Sequence, residues 1–225
     1  MIYYYTTQDR KCRVRFEDAV LLGMAEDGGL FVPECLPQVP EDYFRRINVL
    51  SLPEIAFDVS SLLLQGVIAQ NDLEQIIAKA FTFDAPLKQL TDTIFALELF
   101  HGPTLSFKDF GARFMAQIMG CFAKQKDKVL NILVATAGDT GSAIAQAFLN
   151  VPGTKVWILY PKGKVSWSQE KQLTTFGHNI TALEINGSFD DCQRLVKQAF
   201  SDPVLRKKVS ITSANSINIA RLLPQ

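Results

Sequence analysis

Residues 93–111 read TIFALELFHGPTLSFKDFG, and this stretch decides what fold and chemistry to expect. Thr93 to Phe100 is an apolar, aromatic run of the kind that forms a buried strand. Gly102 and Pro103 then break it. From Ser106 the pattern turns helical, and Phe107, Phe110, Phe114, Met115, Ile118 and Met119 fall on one broad stripe. Ser106 and Asp109 have the spacing of a capping box, which puts Lys108 in the first turn of that helix. A cation there opposes the helix dipole, at a cost of ~0.3–1 kcal/mol. The same field, with aromatic neighbours that exclude water, favours the neutral amine, the form that attacks carbonyls and makes Schiff bases. On these residues alone, a surface lysine that merely opens a helix is the plainer reading.

Downstream, strand and helix alternate. Strands are expected at 93–100, 129–136, 155–160, 180–185 and 209–213, and helices near 107–124, 139–150, 166–176 and 188–201. Such alternation specifies an α/β fold with three layers around a mainly parallel sheet. Ligands in such sheets sit beyond the carboxyl ends of the strands, in the loops that enter helices. Upstream, residues 1–90 suggest a small, mostly helical cap domain ahead of a catalytic part at 91–225. The cap has an aromatic strand at Ile2–Thr6 and helices near Phe16–Met24, Leu50–Leu64 and Asn71–Ala80, the last capped by Asn71. A sharp reversal is expected at Asp27-Gly28-Gly29, where glycine supplies positive backbone dihedrals.

Composition narrows the function classes. The 225 residues carry 48% hydrophobic and 20% charged side chains, ordinary for a globular enzyme with a real core. The 23 basic and 23 acidic residues cancel, which speaks against nucleic acid or an anionic membrane surface as partner. No apolar run reaches the ~18–20 residues needed to span a bilayer. The start lacks a secretory pattern, so the cytoplasm is the expected compartment. Cys12, Cys35, Cys121 and Cys192 are scattered and read as free thiols. The two histidines, His101 and His178, lack metal-ligand spacing, and no metal site is expected.

Two further loops could carry chemistry. Ala135-Thr136-Ala137-Gly138-Asp139-Thr140-Gly141-Ser142-Ala143 follows a strand and opens a helix, so its glycines, hydroxyls and free N–H groups could cradle an anion. Its spacing fits neither a dinucleotide nor a P-loop fingerprint. Asp139 would repel a phosphate, and is either the helix N-cap or a partner for a cofactor hydroxyl. Ser213-Ala214-Asn215-Ser216-Ile217-Asn218 is again a strand end entering a helix, with Ser216 as the candidate cap and Arg221 one turn on, read at least as readily as an exposed arginine. Trp157 and Trp167 read as packing residues, Lys162 and Lys164 as solvated loop charges, His178 as part of a turn, and His101 as a hydrogen-bonded structural histidine.

Taken together these motifs resemble a known family. FHGPTLSFKDFGA (100–112) resembles the pyridoxal-phosphate lysine motif of the threonine synthases. TAGDTGSA (136–143) is similar to that family's substrate loop, and NSINIARLLPQ (215–225) to a third signature. YYTT (4–7) and EDGGLFVPE (26–34) are similar to its N-terminal cap. The resemblance implies the fold type II architecture of pyridoxal-phosphate enzymes. It also implies a lyase that converts O-phospho-L-homoserine and water to L-threonine and phosphate. Lys108 would hold pyridoxal 5'-phosphate as a Schiff base and move protons as general acid–base. Phe107 would pack near the cofactor ring and Asp139 would lie near its phenolic oxygen or imine. Gly138, Thr140, Gly141 and Ser142 would take the substrate, Thr140 near its carboxylate. Members of this family are about twice as long, and their second half carries the glycine-rich phosphate loop and the partner of the pyridine nitrogen. The chain is therefore expected to be the N-terminal half of such an enzyme, as monomer or homodimer. A related phospholyase or dehydratase and a non-catalytic assembly module are the alternatives.

Overall fold

The computed structural model describes residues 1–224, and Gln225, the last residue of the third signature, lies outside them. The chain opens with a three-stranded antiparallel sheet in which β1 (Tyr3–Thr6) lies between β2 (Arg13–Arg15) and β3 (Phe31–Pro33). Strand alternation turns Tyr4 and Thr6 inward. α1 (Phe16–Leu22) and the Asp27 turn connect β2 to β3. In that turn the Gly29 N–H donates to Asp27 Oδ1 at 2.8 Å and Gly28 adopts φ +78°. α2 (Glu41–Arg46), α3 (Leu52–Leu63) and α4 (Gln70–Ala80) follow. The expected helical cap thus also contains a sheet, whose two outer strands are too short at three residues each to leave a period-two pattern. α4 begins one residue before Asn71, and its N-cap is Ala69 with no side-chain bond.

The run at 93–100 is not a buried strand. Only β5 (Phe95–Leu97) is extended, paired antiparallel with β4 (Leu87–Gln89) as a separate hairpin. Phe95, Leu97 and Phe100 are all exposed. The turn is closed by Leu90 N–H to Ile94 O, and the Thr91 hydroxyl accepts from the Ile94 N–H. A two-stranded ribbon has no second layer to bury its apolar side chains, so composition misled where pairing decided.

α5 (Lys108–Lys126) is the longest helix and the centre of the core. Phe110, Phe114, Met115, Ile118 and Met119 are buried as the stripe requires, whereas Phe107 stands outside the helix and is half exposed. Four parallel strands follow: β6 (Leu130–Ala135), β7 (Thr154–Pro161), β8 (Ile180–Ile185) and β9 (Ser210–Ser213). They alternate with α6 (Asp139–Phe148), α7 (Trp167–Thr174), α8 (Phe189–Ser201) and α9 (Pro203–Lys208), and α10 (Ile219–Leu222) ends the described chain. The strand order is β8-β7-β6-β9. From β6 the sheet grows in one direction through β7 to β8, then the chain crosses back to add β9 on the other side. The carboxyl ends of β6 and β9 therefore flank the reversal point, where open α/β sheets bind ligands.

Long-range side chains tie the cap to this sheet. Arg113 of α5 donates from Nε to the Ala80 carbonyl at 2.7 Å and from Nη2 to the Lys79 carbonyl at 2.6 Å. A guanidinium at these terminal carbonyls also meets the negative end of the α4 dipole. Asn218 donates to the Val20 carbonyl at 2.8 Å and accepts from the Ala220 N–H at 3.0 Å, so it links α1 to α10 and caps α10. That cap is Asn218 rather than Ser216. A single hydrophobic core runs from Tyr4 through α5 and β6 to Ala220.

Candidate active site

Lys108 is the first residue of α5, and the loop before it explains why it stays there. Asp109 is fully buried and accepts from the Thr104 N–H at 2.8 Å and the Thr104 hydroxyl at 2.6 Å. Gly102 packs so closely that an added Cβ would lie 2.4 Å from Asp109 Oδ2. The expected Ser106–Asp109 capping box therefore does not form: the carboxylate folds back onto 102–104 instead of reaching Ser106, and Phe107 is the N-cap with no side-chain bond. Leu105 takes φ +57°, a left-handed conformation that a bulky residue adopts only when its surroundings impose it.

The lysine faces a cleft of about 920 Å³ at the β6–β9 ends, walled also by Gly23 and Met24 of the cap and by Phe200 of α8. Its Nζ lies 3.8 Å from Asp139 Oδ2 and 4.8 Å from the centroid of the Phe107 ring. The Lys108 side chain is 23% exposed, that of Asp139 59%. Asp139 is the first residue of α6 rather than its N-cap, which is Gly138.

The 136–142 loop divides into two parts. Thr136 is buried, and its hydroxyl accepts from the N–H groups of Gly138 at 3.2 Å and Gly141 at 3.0 Å while donating to the Gly138 carbonyl at 2.9 Å. Gly138, Asp139 and Thr140 line the cleft. Gly141 and Ser142 turn away from it. A Cβ on Gly141 would meet Thr136 Cγ2 at 2.4 Å and Leu173 Cδ2 at 2.7 Å, and the buried Ser142 hydroxyl donates to Gln172 Oε1 at 3.1 Å. These two residues pack α6 against α7 and bring no group to Lys108.

The same cleft is lined by a cation whose sequence reading stayed open between solvent and ligand contact. Arg221 is only 2% exposed. Its Nη1 donates to the Ala214 carbonyl at 2.9 Å, and its Nε has no partner among the described residues. Burial pulls its pKa below the usual arginine value, the expected response of a guanidinium stripped of water with no counter-charge among the described residues. Trp167, read as a packing residue, is instead 76% exposed at the start of α7. Trp157 is part-buried and donates to Asn131 Oδ1 at 3.1 Å. His101 bonds Glu98 at 2.7 Å on the surface, and Lys162 stays solvated near Glu184. His178 and Gly177 both have positive φ, in keeping with a turn.

A lysine amine, a carboxylate and an aromatic ring thus share one cleft with a buried arginine, so a nucleophile and a desolvated cation border the same space. The Pyridoxal-phosphate dependent enzyme family profile matches residues 79–221, which span this whole arrangement. The chain belongs to that family. The Threonine synthase N terminus profile matches residues 3–81, which hold β1 to α4. The chain is 48% identical over 221 residues to the threonine synthase of Haemophilus influenzae, covering 98% of this chain and 51% of that protein. To the threonine synthase of Escherichia coli it is 45% identical over 221 residues, again 98% against 51%. The crystal structure of pyridoxal-phosphate-bound threonine synthase from Brucella melitensis superposes with TM-score 0.93 at 38% identity, covering 100% of this chain and 50% of that one. The chain spans about half the length of the relatives it matches. No helix among the described residues is long and apolar enough to cross a membrane.

Proposed function

We propose that this chain is the lysine-bearing part of a threonine synthase, acting on O-phospho-L-homoserine and water to give L-threonine and phosphate in the cytoplasm. The observation that carries the reading is the placement of the Lys108 amine, at a helix start on the cleft wall, 3.8 Å from Asp139. The threonine synthases that match over nearly the whole chain support it.

The residues present fit pyridoxal phosphate. They offer a primary amine to an aldehyde, a carboxylate beside that amine, an aromatic ring at its flank and a cleft larger than the cofactor. When bound, the cofactor supplies an electrophilic carbon for an amine and a ring that withdraws electrons from the substrate's carbon skeleton. Lys108 would hold it covalently and, once released, exchange protons with substrate carbon through Nζ. Asp139 would keep that amine oriented and balance its charge. Phe107 would cover one side and exclude water.

The substrate carries two anionic ends, and the cleft offers two places for them. One is the start of α6, where the first-turn N–H groups of Asp139 and Thr140 have no helical acceptor and the dipole is positive. The other is the buried Arg221 guanidinium. Thr140 at the helix start suits the carboxylate, and Arg221 suits the phosphate, whose charge matches a cation already stripped of water.

The test is phosphate release from O-phospho-L-homoserine by this chain joined to the second half of the Escherichia coli relative. Turnover that is lost in Lys108→Ala supports the reading. A folded chimera that takes up pyridoxal phosphate but releases no phosphate contradicts it.

A further inference from the structure

Gln169 sits 61 positions after Lys108 and does not itself line the cleft, yet it holds a carboxylate that does. Its Nε2 donates to Asp139 Oδ1 at 3.3 Å, which leaves Oδ2 toward Lys108 Nζ at 3.8 Å. Asp139 is more than half exposed, and an unrestrained carboxylate there would share its time among several rotamers.

The amide itself has only one way to face. Gln169 is the third residue of α7, and its Oε1 accepts from the Ser166 N–H at 3.3 Å and the Ser166 hydroxyl at 3.0 Å, closing a capping box. A backbone N–H must be met by oxygen, so the NH2 end is forced toward Asp139. The described residues contain two more capping boxes, Ser51–Glu54 and Ser188–Asp191, and both close with a carboxylate. A carboxylate serves the cap as well as an amide does. The one box closed by an amide is the one whose far end meets Asp139, where a second carboxylate would repel.

We infer that Gln169 is a positioning residue for the Lys108 amine, acting through Asp139. The inference rests on Lys108 being the working amine. The other charged groups lining the cleft among the described residues are Glu26, Lys197, Arg206 and Arg221, and none of them hydrogen-bonds or pairs with Asp139. By fixing Oδ2, Gln169 holds negative charge beside Nζ, and that contact restrains the amine from attack.

The experiment measures the acylation rate of Lys108 at pH 8 by acetic anhydride in the cofactor-free chain, with peptide mapping, alongside thermal unfolding. Gln169→Glu keeps the capping box and sets a carboxylate against Asp139. It should slow Lys108 acylation by about threefold, with the unfolding midpoint held. Gln169→Met keeps the side-chain length and cannot hold Asp139. It should speed acylation by a similar factor as the carboxylate turns to solvent. If either folded variant acylates Lys108 at the wild-type rate, Gln169 is a helix cap only and the inference is overturned. Failure of the wild-type chain to take up pyridoxal phosphate would remove the cofactor reading alone, because these rates are read without cofactor.

Discussion

Asp109 and Thr104 form a closed pair: the carboxylate exposes no surface and takes hydrogen bonds from both the N–H and the hydroxyl of Thr104, at 2.8 and 2.6 Å. The pair locks the loop that delivers Lys108 to the cleft. Thr104→Val removes one donor to a buried carboxylate and should destabilise the chain by about 1–3 kcal/mol, read as a lower urea midpoint. An unchanged midpoint would show that the loop is held by other means.

Tyr4 is buried, and its hydroxyl has no partner among the described residues. Burial, with a smaller push from Cys35, raises its pKa from 10.0 to about 12. The folded state therefore keeps the phenol neutral while the unfolded chain ionises it. Its contribution is fully present below pH 10 and is lost as pH rises from 10 toward 12. Tyr4→Phe should raise stability at neutral pH by about 1 kcal/mol, since an unpaired buried hydroxyl goes, and should flatten the alkaline fall. Parallel stability–pH curves for the two proteins above pH 10 would refute this.

At the start of α8, the Ser188 N–H, then Arg194, then the Ser188 hydroxyl hold Asp191 at about 2, below its ordinary 3.8. A depressed carboxylate adds stability above its unfolded pKa and loses it as pH falls through its folded one. The advantage of the wild type over Asp191→Asn should be constant above about pH 4 and shrink toward pH 2. Urea midpoints across that window check it, and an advantage that persists at pH 2 would count against the assignment.

Much of this was legible in sequence, for a definite reason. The strand at 180–185 and the helix opened by Lys108 follow from local hydrophobic period and loop chemistry, which act between near neighbours. The residues at 93–100 are as apolar as a core strand, and only the hairpin partner at 87–89 shows them to be exposed. The burial of Arg221 depends on α5 and α1, which pack against α10 from far upstream in the chain, so no local pattern carries it. Ser166 and Gln169 do spell a capping box in the sequence. That its far end meets Asp139 became visible only when α7 was seen packed beside α6.

The central claim is that Lys108 is the amine built to take pyridoxal phosphate. Incubating the chain with the cofactor, reducing with borohydride and mapping the labelled peptides tests it directly. One pyridoxyl group per chain on Lys108, with none bound in Lys108→Ala, is the predicted result. Label scattered over solvated lysines such as Lys162 and Lys207, with Lys108 unmodified, would contradict it.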